Sequence, residues 1–179
     1  MSKPPSGLFS GTKGAVAFYG NAESVIASRV SGLDLRPHPA KQKQLSPRKK
    51  RELEKKVETR TATREEYRRL MWNKRFDRRR DDGVKNFYAQ ERKRLSSGEQ
   101  GTRNWTESQR HEILSKKKPT FKGKPMQAHH TYSARLFPHL ANRGEIIYPA
   151  TRLEHHKGWH GGNYKKSLPD KRIRPINEL

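Results

Sequence analysis

The 179 residues include no cysteine. Disulfides and thiolate-held metals are therefore excluded, and any metal must be bound by histidine, carboxylate or carbonyl groups. Apolar residues are also scarce: 30% of the chain is hydrophobic, 8% is aromatic, and mean hydropathy is −1.21. Part of the chain is expected to pack weakly, because buried surface has to offset conformational entropy. No run approaches the ~18 consecutive apolar residues of a membrane span, so membrane insertion is not expected. The first residues lack the charged-then-apolar pattern of a classical export signal. Acids are few: 18 Asp and Glu stand against 41 Lys and Arg, a formal charge of +23.

A charge of that size on a small body draws in a polyanion by steering and counterion release. Nucleic acid is the first expectation, with an anionic membrane surface or an acidic protein as the other partners that charge alone allows. The excess is uneven. Residues 1–47 carry +4, residues 48–118 carry +12 and residues 119–179 carry +7. The last segment holds six of the eight histidines. Binding and chemistry are thus expected to be partly separated along the chain.

Three regions follow. Residues 1–45 are rich in Gly, Pro, Ser and Ala and read as a linker or docking arm, with one short helix around Ala22 to Arg29. The segment reads like the middle of a longer protein. Residues 46–118 read as a basic helical segment. Ser46-Pro47 resembles an N-cap followed by proline in the first turn, and helix formers run to Glu58. Thr63-Arg64-Glu65-Glu66 fits a capping box that opens a second helix through Arg80. Asp81-Asp82-Gly83 is expected to break it before a third helix from Val84 to Leu95. Thr106-Glu107-Ser108-Gln109 opens a short fourth helix to about Ser115. Beyond Lys118 the texture changes to turns and short β-like runs, notably Glu145 to Pro149.

The chemistry-bearing pattern lies in this last region. His129 and His130 are adjacent, and His156 and His160 follow at a spacing of four. On an α-helix from Leu153 to Trp159, positions i and i+4 share a face, so His156 and His160 can reach one metal ion. His155 replaces His156 if the helix register differs. Gly161 and Gly162 then end the helix. Neighbours on a strand point to opposite faces. One of the adjacent pair can join the metal while the other faces a reacting water, as metal-assisted hydrolysis requires. His139, after Phe137-Pro138, reads as a surface or structural residue.

Gln127-Ala128-His129-His130, then Asn142, then His156-x3-His160-Gly161-Gly162 resemble the HNH/endonuclease VII superfamily. The similarity is to the AHH- or GHH-signature nuclease toxins at the C-termini of bacterial polymorphic toxins. It covers about Trp105 to Lys166, and Ala128 stands where the GHH form has glycine. The resemblance implies an α+β fold, a helical basic N-terminal part followed by a small ββα-metal (His-Me finger) nuclease core over residues 119–179. It implies His129, His156 and His160 as metal ligands, His130 as general base, and Asn142 as the asparagine that braces the loop and orients His130.

The expected activity is metal-dependent endonucleolytic hydrolysis, non-specific and on DNA, with one divalent ion (Zn, Ni, Mn or Mg). The alternatives are a ribonuclease toxin using the same site, and a non-catalytic nucleic-acid-binding protein with a structural metal. Basic residues from Arg48 to Lys118 would hold the phosphate backbone, and Lys122, Lys124, Arg143 and Lys157 are further candidates for that contact. The resemblance also implies an effector delivered by a secretion system as part of a longer protein. It would act in the cytoplasm of a target bacterium, with a cognate, acidic immunity protein protecting the producer.

Overall fold

The computed structural model describes residues 22–176. The first part of the expected linker or docking arm, residues 1–21, lies outside the described residues. The short helix expected around Ala22 to Arg29 is present. Residues 22–30 form a helix, α1, whose Ala22, Ile26 and Val30 are buried in the main core.

The next helices start where their caps lie. In α2 (Pro47–Glu58) the Ser46 side chain accepts from the Lys49 amide, with proline in the first turn. In α3 (Arg64–Ser96) Thr63 and Glu66 form a reciprocal capping box, and in α4 (Glu107–Leu114) Thr106 and Gln109 form another. Each such cap satisfies amides that the helix itself cannot, and contributes about 1 kcal/mol.

The expected break at Asp81-Asp82-Gly83 does not occur. α3 is one helix of 33 residues, about 50 Å long at the usual rise. Gly83 is buried inside it because another chain segment comes too close for a side chain. A Cβ there would lie 2.3 Å from the carbonyl oxygen of Ala141. The glycine marks a close approach, and the cost of glycine within a helix (~1 kcal/mol) is borne in return for that contact.

Three apolar clusters line up along α3. Leu70 packs with Leu53 of α2 and Leu45. Phe76 packs with Ala134 and Ala141, flanked by Trp72. Phe87, Tyr88 and Leu95 enter the main core with Trp105, Ile113, Tyr148 and Trp159. Buried Asn73 pins the approach to α2, accepting from the Leu45 amide at 2.8 Å and donating to the Arg69 carbonyl at 3.0 Å.

The strands are short. β1 (Thr120–Phe121) pairs with β2 (Lys124–Pro125) through a two-residue turn in which Lys122 and Gly123 both have positive φ, the geometry that suits tight hairpins. β3 (Gln127–His130) pairs antiparallel with β4 (Ile147–Ala150), with His129 opposite Tyr148 and His130 opposite Ile147. The β-like run expected from Glu145 begins two residues later, after a 3₁₀ turn at Gly144–Ile146. A single helical segment, Glu154–Trp159, follows β4. The protein is mixed helix and small sheet, α+β in class. Among the described residues no helix is long and apolar enough to cross a membrane.

Candidate metal centre and nucleic-acid cleft

His129 sits on β3 with its ring turned into the protein, 2% exposed and stacked on Trp159 at 4.6 Å between centroids. The half-buried segment that follows β4 brings two more rings to it. Thr151 and Glu154 cap each other at its start, the Thr151 amide donating to Glu154 Oε2 and the Glu154 amide to Thr151 Oγ1. Arg103 forks onto the same carboxylate at 2.9 and 3.1 Å. This buried pair ties the segment to the loop between α3 and α4.

The segment is a π-helix, not the expected α-helix. The His160 amide donates to the His155 carbonyl, five residues back, at 3.1 Å. A π-turn carries one extra residue, so the ring stacked one turn before His160 is that of His155 rather than His156. His129, His155 and His160 each bring a donor atom within 4.8 Å of the other two. The Nε2 atoms of His155 and His160 are 3.2 Å apart. His156 is left out of this group, and its ring lies against Tyr164. The i, i+4 expectation is thus corrected by one residue, because spacing in sequence assumed the α-helical period.

The three rings fit a cation on several counts. His129 Nε2 is buried and has no hydrogen-bond partner. His155 Nδ1 donates to Gln127 Oε1 at 2.6 Å, and His160 Nδ1 donates to the Lys166 carbonyl at 2.6 Å. Those acceptors fix the tautomers with lone pairs on the two Nε2 atoms, the usual outer support of a histidine ligand. Burial, then the charges of His155, His160 and His130, hold the His129 imidazole well below its ordinary pKa. Burial followed by the charges of His160, His130 and His156 lowers His155 to about 4. Rings that stay neutral keep their lone pairs available for a metal.

His130 points to the other side of β3. Its Nε2 donates to the Ala141 carbonyl at 3.2 Å, which leaves the lone pair on Nδ1. Burial and the Arg80 guanidinium, partly offset by that hydrogen bond, lower its pKa to about 4. Asn142 makes no hydrogen bond to His130. Its Oδ1 accepts from Arg79 at 2.9 Å and its carbonyl accepts from Asn86 at 2.9 Å. The asparagine therefore anchors its loop to α3, and the neighbouring backbone orients the histidine.

A cleft of about 800 Å³ opens over these groups, lined by His129, His130, His155 and His160 together with Arg80, Arg135 and Lys165. Lys122, Lys124, Arg143 and Lys157 are all exposed and do not line it. Sequence reasoning singled out none of these three cations; Arg80, on α3, is one of many arginines there. Only the fold brings it beside His130.

Residues 65–151 match the family described as GHH signature containing HNH/Endo VII superfamily nuclease toxin. The same comparisons find no matching curated protein and no matching solved structure. The nuclease-toxin match begins on α3 and ends with Thr151, so it takes in the long helix and the His129-His130 hairpin. The π-helix with His155 and His160 follows directly after it. The match therefore starts well before the Trp105 expected from the motifs. Ala128, at the signature glycine, pairs with Pro149 on β4 with no positive φ, so nothing in its backbone requires glycine.

Proposed function

We propose that the chain is a metal-dependent endonuclease toxin that hydrolyses phosphodiester bonds, with DNA as substrate. The observation that carries this reading is the convergence of the His129, His155 and His160 ring nitrogens around an orphaned buried Nε2, one residue from a histidine held in the tautomer of a base. His129, His155 and His160 would hold the ion, and three imidazoles suit Zn²⁺, Ni²⁺ or Mn²⁺ better than Mg²⁺. When bound, the ion would supply Lewis-acid stabilisation of the phosphate and the departing oxygen.

The protein's own groups supply the rest. His130, neutral at physiological pH, takes a proton on Nδ1 from the water whose oxygen attacks phosphorus, while a P–O bond to the leaving nucleotide breaks. Incoming phosphate offsets the repulsion from Arg80 and raises the basicity of His130 toward that of free imidazole. Arg80, Arg135 and Lys165 draw the backbone into the cleft without reading bases. The exposed arginines of α3 extend that surface. Three donors, not the four of a closed structural site, converge among the described residues, which favours catalysis over a purely structural metal.

As a nuclease toxin the protein would be delivered into a target cell and act in its cytoplasm. An acidic immunity protein would complement its +23 charge. Plasmid DNA and total RNA, incubated separately with each of the four metals beside a His130→Ala variant, test the reading. Wild type should nick plasmid only with metal, and His130→Ala should lose cleavage while still binding DNA and metal. A His130→Ala protein that cuts at the normal rate removes the base assignment, and cutting of RNA alone reassigns the substrate.

A further inference from the structure

A second group of metal-type donors closes over the loop that holds His130. Asp34, His38 and His139 each bring a donor atom within 4.8 Å of the other two. His38 Nε2 lies 3.0 Å from Asp34 Oδ2, and the His38 and His139 rings meet edge to face at 4.5 Å. His139 Nε2 donates to the Asp34 carbonyl at 2.8 Å, which puts its lone pair on Nδ1. That Nδ1 is buried and has no hydrogen-bond partner. Arg36 forks onto Asp34, Nε to Oδ1 at 2.8 Å and Nη2 to Oδ2 at 3.0 Å. Hydrogen bonds from Arg36, then His38, hold the Asp34 carboxyl well below the usual carboxylate range.

The cluster joins residues 34–40 to the loop that runs from the cleft wall at Arg135 and Leu136 to His139. The His38 amide donates to the Leu136 carbonyl and the Ala40 amide to the Arg135 carbonyl. Arg135 and Leu136 line the cleft. His139 lies two residues before Ala141, whose carbonyl orients His130, and its own carbonyl accepts from Arg79 at 3.1 Å. A cation at this point would fasten residues 34–38 to the loop that aims the base.

We propose that Asp34, His38 and His139 form a second divalent-metal site, suited to Zn²⁺ with its fourth position left to solvent, that clamps residues 31–40 onto the 133–141 loop. Two imidazoles and a carboxylate are a donor set for this ion. Two donors at ~2.0–2.1 Å from a tetrahedral ion stand roughly 3.3 Å apart, close to the observed Asp34–His38 separation. Binding through Nδ1 would satisfy the orphaned imidazole nitrogen, the ion replacing Arg36 Nη2 on Oδ2 while Arg36 Nε stays on Oδ1 as the outer support. The site is independent of the catalytic one, sharing no residue with it.

Zinc stoichiometry of the full chain, after stripping and equilibrium dialysis, tests the proposal. Wild type should bind two equivalents, and Asp34→Asn and His38→Ala one each. A His129→Ala/His160→Ala double variant should also keep one. Zinc should slow hydrogen exchange at the His38 and Ala40 amides in wild type and in that double variant, but not in Asp34→Asn. Asp34 and His38 are both exposed, so these substitutions leave the core intact, which a melting curve checks. One equivalent in wild type with none in the double variant overturns the proposal, as do two equivalents in both Asp34→Asn and His38→Ala. Loss of nuclease activity has no bearing on either result.

Discussion

Gly83→Ala sets two effects of opposite sign against each other. In an exposed helix the change would stabilise by about 1 kcal/mol, because alanine is the better helix former. At residue 83 the new Cβ would lie 2.3 Å from the Ala141 carbonyl oxygen, against an ordinary contact of about 3.5 Å. The obstructing atom is backbone, so relief requires the Ala141 loop and α3 to separate by about 1 Å, and overpacking of this kind costs roughly 1–3 kcal/mol. The net expectation is a small loss, a fall in Tm of a few degrees at about 2–4 °C per kcal/mol. Function should suffer more than stability. The displaced carbonyl is the acceptor for His130, now at 3.2 Å, and a 1 Å error in such a support can cost on the order of 100-fold in rate. Metal-dependent plasmid cleavage and thermal melting, measured side by side, check both parts. A Gly83→Ala protein with raised Tm and wild-type cleavage would refute the account of how His130 is held.

Other expectations follow from the same geometry. Gln127→Ala removes the acceptor of His155 Nδ1 and should weaken metal binding about 10- to 100-fold, read by isothermal titration; unchanged affinity would contradict the outer-support role. Arg80→Ala should lower kcat/KM by roughly 10- to 100-fold and, by removing a positive neighbour, raise the His130 pKa from about 4. The acid limb of the pH–rate profile should then move upward, and Arg80→Lys should restore it; a limb that stays put would separate Arg80 from the base. In EDTA, His130 and His155 fold with pKa values near 4, below the ~6.5 of the unfolded chain. The unfolded state then binds more protons between about pH 6.5 and 4, and stability is lost as pH falls through that window. His130 alone should cost on the order of 1–2 kcal/mol at pH 5 relative to pH 7, seen as a Tm lower by several degrees; a flat Tm would contradict the burial of neutral rings.

The helix starts were legible because capping is local chemistry. Ser46-Pro47, Thr63 with Glu66, and Thr106 with Gln109 state their roles within four residues. Gly83 misled because a glycine that ends a helix and one that admits a neighbouring backbone look alike until Ala141 is in place. The π-turn misled in the same way. Nothing in Glu154 to Trp159 announces an inserted residue, and the choice between His155 and His156 depends on it. Arg80 and Asp34 were invisible for a different reason. Each acquires meaning only across tens of residues, one beside His130 and the other beside His139. What sequence could supply was the inventory: two histidine pairs, their order, and a cationic surface around them.

His129, His155 and His160, and not His156, are expected to grip one ion in front of His130. A crystal grown with Zn²⁺ and measured at the zinc absorption edge addresses it directly. The account predicts an anomalous peak within bonding distance of all three rings, absent from a His155→Ala crystal and retained in His156→Ala. A peak bonded to His156, or none among the three rings, would contradict it.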